Sequence, residues 1–260
     1  MTSTPPATTL SDLPDAPRLS RPERVAEAIK AWVVAENLAP GDRLPGEQEL
    51  IERFGMSKGT IREAMRLLEA QGLVKTRPGP GGGSFVHEVS EARARALLGN
   101  YFYFKNLTIA DIYQLRVALE PELAASLAGR LTEAQLAALE ENIARYEAPP
   151  ASADEDRAQH VASLDFHRML AGWAQNPLLG FLIGFMGSML SDLTVHRRLY
   201  EPRNYDLWRR GRDYQTRLVR ALREGDPQAA RAIMDEHMRA ARDLMEVQEA
   251  RMARRFLSDR

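Results

Sequence analysis

Along the first third of the chain, apolar residues recur at helical intervals in short bursts. Val25, Ala28, Ile29, Trp32 and Val33 share one face of a first helix that runs out before Pro40-Gly41. A second helix opens after Pro45, with Gly46 as a weaker N-cap than Ser, Glu49 at the capping-box position, and Leu50 with Phe54 on the apolar side. Gly55-Met56 turns the chain. Ser57 then caps a third helix, in which Ile61, Ala64, Met65 and Leu68 form a buried stripe while Lys58, Arg62 and Arg66 repeat at i, i+4 and i+8 away from it. Residues 73–77 and 84–87 read as two short strands around Pro78-Gly79-Pro80-Gly81-Gly82-Gly83, a hairpin tip too rich in turn formers for a helix. The predicted unit, residues 21–88, is three helices and a wing.

Beyond residue 92 the apolar periods lengthen and turn signals thin out. Helices are predicted over 113–130, 133–146, about 156–173, 177–198, 204–223 and 227–257, which together make an all-helical domain spanning 93–257. The expected fold class is therefore mainly α: an N-terminal winged helix-turn-helix with a small β-hairpin wing, then a helical bundle. Residues 1–20 are rich in Thr, Pro and Ser and lack both the basic opening and the apolar run of a secretory signal; they are expected to be a disordered tail. Residues 169–191 carry no charge, but Gln175, Asn176 and Pro177 interrupt them and leave 178–190 as the apolar remainder, short of the ~20 residues a bilayer requires. A buried helix is expected there, with Gly180 and Gly184 admitting a close neighbour. These readings together predict a cytoplasmic protein with no membrane partner.

Composition narrows the chemistry further. The chain has 260 residues, a formal charge of -1 and no cysteine, which excludes disulfides, thiolate metal sites and cysteine nucleophiles. The net charge implies no partner, and residues 21–88 balance ten basic against ten acidic side chains. Placement is another matter: residues 53–77 hold Arg53, Lys58, Arg62, Arg66, Lys75 and Arg77 against Glu63 and Glu69. Two short helices around a tight glycine turn match the helix-turn-helix, whose second helix enters the major groove by its N-terminal end. Lys58, Thr60 and Arg62 occupy that end. The planar fork of Arg62 suits a guanine edge, worth ~1–3 kcal/mol of discrimination; Lys58 suits a base or a phosphate, and Ser57, Gly59 and Thr60 are small enough for close backbone approach. The plainer alternative is a solvated basic helix face.

Pro40-Gly41-Asp42-Arg43-Leu44-Pro45, Glu47, Glu49-Leu50, Phe54, Ser57-Lys58, Thr60-Ile61-Arg62-Glu63-Ala64 and Gly72-Leu73-Val74 resemble the winged helix-turn-helix of GntR-family transcription regulators. The resemblance implies DNA contacts from Gln48, Ser57, Lys58, Thr60 and Arg62 and from the wing at Gly81, Gly82 and Gly83. Gln48 and Lys58 stand where many members have Arg, and Gly46 where they have Ser or Thr. Further on, residues 113–120, Phe166-His167-Arg168, Asn176-Pro177, Gly225-Asp226 and His237 resemble the FadR-type helical effector domain, the FCD domain. Many members of that subgroup hold a metal through an Asp and three His. The corresponding positions are Ser163, His167, Gln215 and His237, so two of the four ligand positions are kept. Imidazole and carboxylate suit Zn, Ni or Mn; Asp165 lies on another side of its helix, and His160 is two turns away.

Two readings of that constellation stay open. One is a divalent metal on His167 and His237. The other is a metal-free polar cavity in which Arg116, Ser163, His167, Gln215 and His237 hold an organic effector, the inward Arg116 meeting a carboxylate unless it is spent on Glu120 at i+4. The function these features predict is a homodimeric regulator, a repressor, on a palindromic double-stranded operator, modulated by a small acidic metabolite. Alternatives are a metal-dependent or acid–base enzyme using His167 and His237, and an effector-independent architectural DNA-binding protein. No His-Glu-x-x-His or Gly-x-Ser-x-Gly motif accompanies the enzyme reading, and the glycines at 79–83 lack the ending of a phosphate loop.

Overall fold

The structure is a computed structural model that describes residues 19–201 and 203–258, with side chains through 250. The described residues form ten helices and one two-stranded sheet. The chain divides into two compact units, Met1–Ala96 and Leu97–Arg260. Most of the expected tail, residues 1–18, lies outside the described residues.

In the first unit, α1 (Arg21–Ala35), α2 (Glu47–Phe54) and α3 (Lys58–Gln71) precede β1 (Val74–Arg77) and β2 (Gly83–Val86). Ser20 is not part of a tail. It caps α1 in a full capping box with Glu23, with Pro22 in the first turn, so a Ser-x-x-Glu signal lies at the head of the apolar period. α3 is capped by Ser57 and ends at Gly72 in the left-handed conformation. Ile29, Leu50, Ile61 and Leu68 meet in the core at 2% exposure or less, each side chain contributing about 1.5–3 kcal/mol by burial. β1 and β2 pair antiparallel from Val74–Val86 to Arg77–Gly83, and Arg43 adds an isolated bridge to Phe85. At the hairpin tip a Cβ on Gly82 would come within 2.3 Å of the Arg77 carbonyl oxygen, so only glycine fits the turn there.

The second unit is helical, as the long periods predict: α5 (Ile109–Leu127), α6 (Glu133–Ala144), α7 (Ala153–Gly172), α8 (Pro177–His196), α9 (Tyr205–Glu224) and α10 (Pro227–Ser258). α10 packs along α5 and α9, α7 against α8, and α6 against α7 and α9. Leu123, Leu139, Phe166, Leu170, Leu190, Leu218, Met234 and Met238 lie at the centre. α5 begins four residues earlier than its apolar pattern suggested, because Thr108 and Asp111 close a capping box ahead of that pattern.

Two elements depart from the expectation. α4 (Glu91–Tyr103) was not predicted; Ala94, Leu98 and Phe102 recur every four residues along it but are only half-buried, and none of its residues is fully buried. The division between the units falls within it. α8 runs 20 residues, as the predicted helix at 177–198 requires, but where the apolar remainder at 178–190 fell short of a bilayer, the whole helix is long and apolar enough to span one by length and composition. The apolar remainder ends before Ser191 and Asp192, whereas the helix continues through His196. Ile183, Met186 and Leu190 face the core, and Gly180 lies so close to α7 that a Cβ would sit 2.5 Å from the Ala171 carbonyl oxygen.

Candidate functional site

The first candidate surface begins with how α3 is started. Ser57 Oγ accepts from the Thr60 amide at 3.3 Å and lies 3.0 Å from Thr60 Oγ1, so both hydroxyls are used in forming the helix end. That geometry turns Lys58 and Arg62 outward, with side chains 61% and 58% exposed. Both reach Glu47 at the start of α2: Arg62 Nε donates to its Oε2 at 2.6 Å and Lys58 Nζ lies 3.1 Å from its Oε1. The hydrogen bond from Arg62, with that from Lys58, holds the Glu47 carboxyl below its usual range. Glu47 appeared in the sequence only as a motif residue; its role as the shared anchor of the two basic side chains needed the packing of α2 on α3. Gln48 is exposed and donates to Glu52 at 2.9 Å. Arg43 donates to the Gly82 carbonyl at 2.8 Å and ties the wing tip to the segment before α2. A concavity of about 420 Å³ between these elements is lined by Arg43, Glu47, Arg62, Arg66, Thr76 and Gly83. Gly81 and Gly83, with Gly82 between them, shape the wing at positive φ.

The second candidate site is a polar cluster inside the helical unit. Arg116 and Glu120, one turn apart on α5, are both 1% exposed. Arg116 Nε donates to Glu120 Oε1 at 2.5 Å, and His167 Nδ1 on α7 meets Glu120 Oε2 at 2.5 Å. Burial alone would raise the Glu120 carboxyl, but the neighbouring Arg116 guanidinium and His167 outweigh it and hold the group at about 2. Burial lowers the His167 imidazole, with Glu120 opposing. A neutral His167 that gives its Nδ1 proton to a carboxylate keeps a lone pair on Nε2. That lone pair faces His237 Nε2 at 3.3 Å across nearly parallel rings, so His237 Nε2 is the donor. Burial, then His167 and Arg116, push the His237 imidazole well down.

Gln215 closes the cluster from α9. It is fully buried and fully satisfied: its Nε2 donates to the Ser163 carbonyl at 3.1 Å, with Ser163 Oγ at 3.2 Å and His167 Nε2 at 3.4 Å, while its Oε1 accepts from Tyr146 at 2.6 Å. In the sequence Tyr146 marks only the end of a predicted helix, and Glu120 is only a competitor for Arg116. Beside this network opens a cavity of about 60 Å³, whose wall includes Tyr113, Arg116, Asp156, His160, Ser163 and His167. Arg116 is paired with Glu120 and is also among the residues that line the cavity; its Nη2 is shielded and has no hydrogen-bond partner among the described residues.

Comparison with known proteins bears on both sites. Residues 21–86 match the bacterial regulatory proteins of the gntR family, and residues 111–240, half of the chain, match the FCD domain. The chain belongs to the GntR family. Relatives of this GntR regulator include the HTH-type transcriptional repressor NanR of Edwardsiella tarda, 27% identical over 83% of this chain and 82% of the relative. The HTH-type transcriptional regulator LutR of Bacillus subtilis is 28% identical over 80% of this chain and 93% of its own. The Exu regulon transcriptional regulator of Escherichia coli K12 is 28% identical over 83% and 81%. A solved structure, Streptococcus agalactiae GntR, has the same fold at a TM-score of 0.56 and 23% identity, covering 85% of this chain and 99% of that one. The first unit of this GntR regulator is thereby its DNA-binding head, and the second its effector domain.

The family's metal position can be tested against the donors present. His167 and His237 aim their Nε2 atoms toward each other, and Glu120 orients His167 as an outer-sphere carboxylate would. The other two positions do not supply ligands. Ser163 offers a hydroxyl, and Gln215 turns its N–H₂ inward, an orientation enforced by the Ser163 carbonyl at 3.1 Å, which would repel the amide oxygen. Among the described residues no group of three or more His, Asp or Glu is placed to hold a metal ion. Two neutral imidazoles without an anionic oxygen do not fit a tightly held divalent ion.

Proposed function

We propose that this GntR regulator is a homodimeric repressor that grips a palindromic double-stranded operator with α3 and the wing, and that a small carboxylate entering the helical cavity modulates its hold. The observation that carries the effector class is Arg116: a guanidinium 1% exposed on a residue that lines the cavity, with one carboxylate partner shared with His167 and an Nη2 that has no hydrogen-bond partner among the described residues. Such a donor is satisfied by an incoming carboxylate, and the charge-assisted bond is the strong kind. The name of the Edwardsiella relative supports repression. A dimer follows from the readout: one short helix specifies few bases, and two-fold symmetry doubles them. Arg62 and Lys58 read or clamp the duplex after exchanging Glu47 for DNA, with Gln48, Thr60 and the backbone of Gly81–Gly83 beside them. The cavity works without a metal, through His167, His237, Ser163 and Gln215, and the molecule acts by binding rather than catalysis, in the cytoplasm where its operator is. The ligand shifts the DNA-bound population only by its different affinity for the two arrangements.

The test is anisotropy titration of fluorescent duplexes carrying the promoter of the adjacent operon or its scrambled counterpart, at physiological salt, with wild type and Arg62→Ala. Sequence preference lost in the variant supports the reading; equal affinity of wild type for both duplexes overturns it. The same titration repeated with millimolar carboxylates reads the effector arm, which fails if every acid leaves operator affinity unchanged.

A further inference from the structure

Glu47 opens α2 behind Gly46, which caps that helix without a side-chain hydrogen bond, so the carboxylate sits at the positive end of the helix dipole. Its two oxygens are divided between neighbouring cations of α3: Oε2 accepts from Arg62 Nε at 2.6 Å, and Oε1 lies 3.1 Å from Lys58 Nζ. No other acid reaches either cation among the described residues. Those bonds hold the carboxyl below its usual range, so it is charged at neutral pH. Arg66, the third member of the basic row, contrasts with them: its Nη1 is 3.4 Å from Glu63 on its own helix, and its side chain is 76% exposed. The two cations at the leading end of α3 thus share one anion carried by another helix, and Glu47 and Arg62 line the same concavity beside the wing.

We propose that Glu47 is a specificity-determining residue of the DNA-binding head: its carboxylate competes with phosphates for Lys58 and Arg62, and so weakens sequence-independent binding more than operator binding. This rests on the reading of α3 as the element that meets the duplex. An exposed ion pair of this kind adds little to folding stability; its effect is felt when DNA arrives. A double helix carries one negative charge per ~1.7 Å of axis, and cations gain affinity from it by releasing condensed counterions. Lys58 and Arg62 already hold a fixed anion, so taking a phosphate exchanges one anion for another and leaves the freed carboxylate unpaired in the phosphate field. That cost falls on every register of every duplex. A base edge differs in kind: guanine O6 and N7 are neutral acceptors that fit the Arg62 fork without opposing the carboxylate by net charge. An operator therefore recovers through base contacts what phosphates alone do not supply, and the ratio between the two affinities widens. Glu49 lies in the same first turn of α2 but meets neither cation, so its charge acts only through the general, salt-screened field.

The experiment is anisotropy titration of the full-length wild type, Glu47→Gln and Glu49→Gln, each checked for an intact thermal transition, with the promoter duplex and its scrambled counterpart over a series of salt concentrations. Glu47→Gln is expected to bind the scrambled duplex about fivefold more tightly per head at physiological salt, with a salt slope steeper by about 0.9 per head, and the promoter duplex within about twofold of wild type. Glu49→Gln is expected to move both duplexes alike and to leave their ratio as in wild type. A ratio in Glu47→Gln equal to that of wild type overturns the role of Glu47 and leaves the reading of α3 standing. So does weaker binding of both duplexes by that variant, which would make Glu47 a support of α3 and nothing more. Equal wild-type affinity for the two duplexes overturns the reading of α3, and the proposal with it.

Discussion

Glu120→Gln is the sharpest probe of the buried cluster, because the substitution keeps volume and shape and removes only charge. In the wild type both carboxylate oxygens are engaged at 2.5 Å, one by Arg116 and one by His167, at 1% exposure. Neutralising Glu120 leaves the Arg116 guanidinium buried without its counter-ion, a change that costs about 3–5 kcal/mol when one member of a buried pair is removed. No cavity is created, so packing adds nothing to that figure. For a unit of this size, with a shift of about 2–4 °C per kcal/mol, the helical transition should fall by roughly 6–20 °C. Differential scanning calorimetry of the full chain reads it, since the DNA-binding head contains neither residue and its own transition serves as an internal control. Arg116→Met combined with Glu120→Leu should recover most of the loss, because a buried pair exchanged whole for apolar groups is close to neutral. A loss under about 1 kcal/mol for Glu120→Gln, or a double variant as unstable as the single, would refute the claim that Arg116 depends on Glu120 for its charge balance.

Tyr146→Phe should cost about 1–3 kcal/mol in urea unfolding, because it strands the fully buried Gln215 Oε1 without a donor; an unchanged midpoint contradicts the network. Acid should weaken the helical unit below neutrality. His160 is held at about 4 against an ordinary 6.5, and His167 and His237 are lowered too, so the unfolded chain binds the protons more readily; their stabilisation is complete above about pH 6.5 and declines toward pH 4. His160 alone accounts for about 2 kcal/mol between pH 7.5 and 5. Glu120, held at about 2, adds a separate loss below about pH 4.5. Equal unfolding free energies at pH 7.5 and 5 would count against the neutral imidazoles. Equilibrium dialysis against zinc followed by elemental analysis should find less than one ion per wild-type chain, whereas Ser163→Asp with Gln215→His, which supplies an anion and a third imidazole, should bind one; stoichiometric zinc on the wild type would reverse the assessment of the donor set.

Much of the DNA-binding head could be read along the chain because its determinants are local. Ser57 caps within three residues, the apolar stripe at Ile61, Ala64 and Leu68 repeats within a turn or two, and the glycines of the hairpin tip act through their own backbone angles. The outward basic row followed from that stripe by geometry alone.

The sequence by itself determined the winged head, the helical character of the second unit, and the positions at which effector chemistry gathers, since caps, turns and periodic burial are decided among near neighbours. Only tertiary structure decided what those positions do. Glu47 meets Arg62 across 15 residues, Glu120 meets His167 across 47, and Tyr146 meets Gln215 across 69. Whether a buried His is a ligand, a donor or an acceptor depends on which groups share its low-dielectric surroundings, and those partners arrive from other helices, beyond the reach of any pattern along the chain.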